Sequence, residues 1–482
     1  MENDVFSTRE AIIAAIPYTT ANYGKAPDIN LIYIPPAHEK ALRFETSLVV
    51  GARGVGKSFW AAVINNENIR SKLGNSIHEL KNVNVHTGFS TSDNIDAYPD
   101  KETFAQLLQK GFSSYEIWRS VISRWIAKTA DCAISGETWV DTVEWVRGNP
   151  ERVTRLFQRA NAVFESKNER GLVLFDALDR SSDSWQKMDD IVRDLLKVAL
   201  WLKSYSRIST KIFLRTDQYS RQVMDFPDAS KISATQAELT WHIHDLHGLL
   251  WQLFCNAPNK HGEILRKLYE KIIGNPPLRK NESNEWSLTT KAKRDEKEQR
   301  NLFKEIAGPY MGSDQRRGIP YLWSVRHLAD GMGQTSPRSF LEAIRNAAED
   351  SLQKYRDHSY ALHYESIKRG VQAASSVRIK EVAEDYPWIE DLLEPLERLN
   401  VPCEFSAIEE RWDESFPVGV GSLPNKDRLP PRNLKEGWSG IRKDLEQLGL
   451  FEKLRDGRVN MPDLYRIGFK LGRKGGVKPS RG

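Results

Sequence analysis

Cysteine is scarce in this sequence: Cys132, Cys255 and Cys403 are the only three in 482 residues, scattered, odd in number and without a C-x-x-C pair. They build neither a disulfide framework nor a thiolate metal site, which fits a reducing, cytoplasmic setting. Long apolar runs are missing too. None approaches the roughly 18 residues of a spanning helix, and Ala11–Ile16 is too short and too poorly flanked for a signal peptide, so no membrane partner is expected. There is no internal repeat and no recognisable Ser-His-Asp or Cys-His arrangement. His242, His244 and His247 are spaced so that at most two share a helical face, which points to packing or surface roles and away from a zinc site. The 14 tryptophans form no evident base-stacking array.

What is present is an ordinary globular balance, 40 % hydrophobic and 28 % charged, long enough for about three domains. The net charge of +5 is unevenly spread. Ser422–Gly482 holds fifteen Lys/Arg against seven Asp/Glu, a surplus of +8, which leaves about −3 for the rest. A basic C-terminal module is thus attached to a mildly acidic body, a pattern suited to phosphate backbones or acidic protein surfaces.

Along the chain, Arg9–Ala15 has a short helical pattern before Pro27 and Pro35-Pro36 interrupt it. Short apolar runs at Thr46–Val50, Val83–His86, Gly171–Phe175 and Lys211–Leu214 read as strands. Phe59–Ile64, Tyr115–Lys128 and Met188–Leu202 read as helices, the second with Ile117, Val121, Ile122 and Trp125 on one face. Alternating strands and helices predict an α/β core with a mostly parallel sheet covered on both faces. Beyond Trp251 helical periodicity takes over, at Tyr321–Leu328, Ser339–Leu352 and Ser375–Leu399. Asn281–Arg300, dense in charge, reads as an exposed loop or insertion, and Pro417–Pro431 as a linker. The expected organisation is a core over 1–250, a helical lid over 251–372 with the charged insertion 281–300, and a basic module over 373–482.

The most specific motif is Gly51-Ala52-Arg53-Gly54-Val55-Gly56-Lys57-Ser58, a complete GxxxxGKS (Walker A) sequence followed by Phe59. Gly51, Gly54 and Gly56 let the backbone curl so that successive N–H groups, those of Arg53 and Val55 among them, cradle a phosphate. The following helix turns its positive end on the same charge. Lys57 reaches the β- and γ-phosphates, and Ser58 supplies a hydroxyl to Mg²⁺. Leu172-Val173-Leu174-Phe175-Asp176 has the form of a Walker B strand, with Asp176 at the carboxyl tip where ligands of such sheets collect. Asp176 is the second metal residue. The next position, where many such ATPases carry a water-orienting Glu, is Ala177. Asp179 is the nearest substitute for positioning water or metal, and slow hydrolysis is expected.

These strings, with a third strand ending Phe213-Leu214-Arg215-Thr216-Asp217, resemble the AAA+/STAND/KAP group of P-loop NTPases. Phe175-Asp176-Ala177-Leu178-Asp179-Arg180 is similar to the DDLDR of KAP proteins and the DELD of origin-recognition ATPases, departing from both at Ala177. The resemblance implies a γ-phosphate sensor at Arg215 or Thr216. It also implies a second one at Arg338, in the first turn of a lid helix that Ser336 caps and Pro337 opens. Arg221 is the one arginine-finger candidate. The 119 residues from Lys57 to Asp176 demand extra helices between them.

In the C-terminal module, Trp438, Ile441, Leu445 and Leu448 share a helical face that Gly449 ends. Phe451–Leu454 and Val459–Met461 read as a hairpin through Asp456-Gly457, and Pro462 opens a short helix. The order is similar to a winged helix, with Arg455 and Arg458 at the wing tip and Arg473, Lys474, Lys478 and Arg481 beyond as nucleic-acid candidates.

The expectation is therefore a P-loop ATPase with ATP and Mg²⁺ as cofactors. It acts as a nucleotide-dependent switch or homo-oligomeric motor subunit with a partner effector, resembling bacterial anti-phage defence ATPases. The alternatives are an ATP-gated DNA-binding initiator or loader, and a signalling scaffold that binds ATP and hardly hydrolyses it.

Overall fold

The computed structural model describes residues 5–17, 27–74, 77–134, 136–182, 184–280, 285–423 and 429–473. They fall into two units. The first comprises 27–29 and 34–240, and the second 5–17, 30–33 and 241–473.

The first unit is built on a five-stranded sheet in the order β2-β3-β4-β1-β5, formed by β1 (Leu48–Gly51), β2 (Val83–Phe89), β3 (Arg170–Phe175), β4 (Ile208–Arg215) and β5 (Ala237–Glu238). Every pairing is parallel. Successive residues of β3, which point to opposite faces, are all buried: Leu172 is 1 % exposed, Val173 0 %, Leu174 2 % and Phe175 0 %. Both faces of the sheet are therefore covered, and the α/β parallel-sheet expectation holds. The four sequence-read strands are present with slightly shifted ends. The two-residue β5 has no run long enough to show in the pattern.

Four helices fill the stretch between β2 and β3: Lys101–Gln109, Ser114–Thr129, Trp139–Gly148 and Pro150–Ser166. Ser113 starts the second with a reciprocal capping box to Glu116. Its Ile117, Val121, Ile122 and Trp125 are buried, as the stripe predicts. Trp118, 0 % exposed, donates from Nε1 to the Ile191 carbonyl at 3.0 Å and meets the rings of Phe89, Phe104 and Phe175. This aromatic cluster locks the helix to the strand that carries Asp176.

The second unit is mainly helical. Pro337–Lys354 and Tyr364–Asp385 pack closely, and a Cβ added at Gly370 would lie 2.1 Å from the Ala343 carbonyl. The N-terminal helix Val5–Ala15 belongs here, where fully buried Arg9 donates to the carbonyls of Arg356, His358, Tyr360 and Ala361 at 2.9–3.3 Å. The first unit thus ends at 240, not 250, and the stretches 251–372 and 373–473 share one unit. The helix Tyr364–Asp385 runs straight through the expected boundary, and Ser375 on it donates to the Leu464 carbonyl at 2.6 Å.

Three local expectations are corrected. The charged stretch is no exposed loop over its described residues 285–300. β7 (Glu285–Ser287) pairs antiparallel with β6 (Leu278–Lys280), and helices Thr290–Arg294 and Glu296–Ala307 follow. Gln299 is fully buried because its amide donates to the carbonyls of His244, Ala292 and Lys293 while the Tyr321 hydroxyl donates to its Oε1. Ser375–Leu399 is not one helix; Pro387 separates Tyr364–Asp385 from Trp388–Leu393. Ser336 stands at the N-cap of Pro337–Lys354, but its side chain makes no capping bond.

Candidate phosphate-binding site

The motif runs from Gly51, the last residue of β1, through the loop 52–56 to Lys57 and Ser58, which open the helix Lys57–Asn65, at the carboxyl end of the sheet. Gly54 (φ 80°) and Gly56 (φ 109°) take left-handed backbone that a side chain would resist. Gly51 is required for another reason: a Cβ there would come within 2.6 Å of Val55 Cγ2 and 3.2 Å of Leu239 Cβ. Val55 is the buried pin of the loop at 3 % exposure, Arg53 is half-exposed on it, and Phe59 stands edge-on to Trp60. The first N–H groups of the helix have no acceptor within it, and its positive end is set at the loop.

Lys57 is folded back on the loop, donating from Nζ to the carbonyls of Gly51 at 2.9 Å and Ala52 at 2.8 Å. Desolvation of the amine and the neighbouring Arg215 cation pull its pKa down to about 8, against the opposing pull of Asp176, Asp217 and Asp179. The Ser58 side chain lies near the Asp176 carboxylate. Asp176 is 8 % exposed, and burial raises its pKa even though Ser58 and Lys57 work the other way.

Sheet order explains what joins them. β4 lies between β1 and β3, with Gly51 beside Arg215 and Phe175 beside Ile212, so the end of β4 projects between the phosphate loop and Asp176. Arg215 is held there by Asp217 through Nε at 3.0 Å and a terminal nitrogen at 3.1 Å, with its other terminal nitrogen 3.9 Å from Asp179. Thr216 is half-buried in the turn that follows. Ala177 adopts a left-handed conformation at φ 57° and starts the 3-10 turn Leu178–Arg180 that presents Asp179. The site therefore brings together Lys57, Ser58, Asp176, Asp179 and Arg215. Asp217 was not expected in it; its only sequence signal is a carboxylate two residues from an arginine at a strand end.

The remaining candidates fall each within its own unit. Arg221 is exposed in the turns after β4. Arg338 belongs to the second unit, ion-paired with Glu381. The C-terminal elements appear as helix Gly437–Gln447, a hairpin of β8 (Glu452–Lys453) and β9 (Val459–Asn460), and helix Asp463–Arg466. Cys403 bridges antiparallel to Val459 at the hairpin's edge. Arg455 is exposed at the hairpin turn, whereas Arg458 pairs with Asp456 at 2.7 Å and Arg473 with buried Asp463 at 3.2 Å. Lys474, Lys478 and Arg481 lie outside the described residues. His247 is fully buried, bonded to the Tyr321 carbonyl at 3.0 Å. Among the described residues no group of three or more His, Cys, Asp or Glu is placed to hold a metal ion, and no helix is long and apolar enough to cross a membrane.

Fold and site together define an α/β protein with a glycine-rich loop after β1 of a five-stranded parallel sheet. No protein-family model matches the chain, and no curated protein matches it. Among solved structures, the chain is similar to the ORC2 protein of Aeropyrum pernix, described in ADPNP-ADP complexes, at 12 % identity and a TM-score of 0.39 over 90 % of this chain and 93 % of that one. The likeness is loose, and the reading of the site rests on its own residues.

Proposed function

We propose that the chain binds ATP with Mg²⁺ at the turn after β1, hydrolyses it slowly, and uses the difference between bound states as a switch. The observation that carries this is the convergence of Lys57, Ser58 and Asp176, with Arg215 delivered between them by β4.

The residues present suit both groups. Lys57 is bonded to two neutral carbonyls, which a phosphate oxygen replaces with a stronger, charge-assisted partner. Ser58 and Asp176 are hard oxygen donors of the kind magnesium takes, and they would hold it. Bound there, the ion supplies neutralisation of the charge on the β- and γ-phosphates. Asp179, at the mouth of the site, accepts a hydrogen bond from the attacking water and orients it, and Arg215 lies against the terminal phosphate. Ala177 has no carboxylate to help, so turnover is slow.

Contact with duplex DNA through the C-terminal module is the second component, favoured by exposed Arg455 on the β8–β9 hairpin and the basic surplus around it. A homo-oligomer, an effector partner and a setting in anti-phage defence belong to the same proposal through the family resemblance.

The test is nucleotide binding and phosphate release by the full chain. Lys57→Ala is expected to abolish ATP binding. Asp176→Asn is expected to retain binding and lose magnesium-dependent turnover. A Lys57→Ala protein that turns over ATP like the parent would overturn the proposal.

A further inference from the structure

At the amino end of the parallel sheet, opposite the loop after β1, the first unit holds an open cleft of about 430 Å³. Its walls are Thr154, Gln158 and Asn161 on the helix Pro150–Ser166, Trp201 on the helix Trp185–Leu202, and Ser204 and Tyr205 in the turn that leads into β4. The spacing of 154, 158 and 161 places three polar side chains on one helical face, while Phe157 and Phe164 of the same helix are buried. The volume lies within the range of small-molecule sites, about 300–1,000 Å³.

The walls are set in place by their neighbours. Phe157, 0 % exposed, meets Trp201 edge-on at 4.7 Å and Tyr205 at 5.4 Å between centroids, and the Arg119 guanidinium lies 4.6 Å from the Trp201 ring centre. Asn161 Oδ1 accepts from the Arg207 N–H at 2.9 Å, which fixes the orientation of the amide, and the Thr154 hydroxyl donates to the Pro150 carbonyl at 3.1 Å. None of the six wall side chains is charged; burial raises the Tyr205 pKa, so its phenol keeps its proton. Their hydroxyls and amides each offer both donors and acceptors. The Trp201 and Tyr205 rings stand at 78° to one another, 5.6 Å apart, and so make a corner and not a parallel-sided slot.

We propose that this cleft is a binding site for a neutral saccharide unit, held by Trp201 and Tyr205 as its apolar corner and by Gln158, Asn161, Thr154 and Ser204 as its hydroxyl partners. A flat base gains most between parallel rings, which this corner does not provide. A puckered sugar ring presents C–H groups on its sides, and these meet the electron-rich faces of aromatic rings. Its hydroxyls donate and accept at once, as do the amides and hydroxyls that face them. An anionic sugar finds no cation in the wall. Because the walls are held before the ligand arrives, little ordering is left to offset the contacts. The site is independent of the nucleotide reading and stands or falls without it.

The experiment is a ligand-detected NMR titration of the full chain with N-acetylglucosamine and with maltotriose, and with adenine as the flat comparison probe. Saturable binding of a saccharide in the millimolar range is expected, with adenine weaker. Gln158 is exposed, so Gln158→Ala removes a hydrogen-bonding group with an unchanged melting temperature and is expected to weaken the saccharide about five- to tenfold. Trp201→Ala is expected to abolish binding, and Trp201→Phe, which keeps an aromatic face and the packing on Phe157, to retain part of it. Three results would each overturn the inference: no saturable binding of either saccharide, saccharide binding that Gln158→Ala and Trp201→Ala leave unchanged, or adenine binding more tightly than both sugars with the same sensitivity to the variants.

Discussion

The Ser58 side chain comes close enough to the Asp176 carboxylate to oppose the effect of its burial, although β1 and β3, which lead to them, are not neighbours; β4 runs between them. The loop after β1 must therefore reach across the end of β4 to meet the acid. Under the proposed nucleotide reading, Ser58 and Asp176 are the two oxygen donors that would hold a magnesium ion. Ser58→Ala removes one of the two oxygens, and turnover is expected to need roughly tenfold more magnesium. A magnesium titration of phosphate release in the variant measures it, and an unchanged midpoint would contradict the assignment.

The helix that follows the loop is anchored from beneath. Trp60 Nε1 donates to His38 Nδ1 at 3.0 Å, and His38 Nε2 bonds the Thr240 carbonyl at 3.1 Å. Burial pulls the His38 pKa down to about 4, so the ring is neutral at physiological pH, accepting at one nitrogen and donating at the other. His38→Leu leaves the buried indole N–H and the carbonyl unpaired, a cost of about 1–3 kcal/mol. Chemical denaturation of the two proteins is the check.

Lys211 sets a pH signature. Its Nζ donates to the carbonyls of Ala41 at 2.8 Å and Arg43 at 2.5 Å, and burial pulls its pKa from 10.5 to about 7. Between those two values the unfolded chain carries a proton on this amine that the folded chain lacks, so rising pH favours the fold across that window. Wild type is therefore expected to gain stability relative to Lys211→Met as pH rises from 7 to about 9. A difference in melting temperature that stays constant over this range would rule it out.

At the β8–β9 hairpin the arginines divide by partner. Arg455 is exposed, while Arg458 is held by Asp456 at 2.7 Å. If the hairpin meets DNA, Arg455→Ala should weaken binding evenly across sequences and lower the slope of log affinity against log salt by about one, with a smaller effect from Arg458→Ala. Equal slopes for wild type and both variants would remove the hairpin from any DNA contact.

The backbone of the loop after β1 was legible because its signal is local: glycines at fixed intervals take the left-handed conformations at Gly54 and Gly56, and the helix opens at Lys57. Asp176 was legible for a related reason, a buried strand that ends abruptly in an acid. The Arg215–Asp217 grip was not, because an acid two residues from a base signals nothing until the strand end folds into its turn. The burial of 285–300 escaped for the opposite reason. Its core is held partly by a polar side chain, Gln299, bonded to three carbonyls and the Tyr321 hydroxyl, and periodicity counts only apolar residues. The hairpin of the basic module was readable from Asp456-Gly457, whose Gly457 takes φ 91°. Which of its arginines are already paired is a tertiary fact.

The most direct test is titration calorimetry of the intact chain with Mg·ATP, beside Lys57→Ala. Saturable heat in the wild type and none in the variant is the expected result. No heat in the wild type, or equal affinity in both, would contradict a nucleotide held between Lys57 and Asp176.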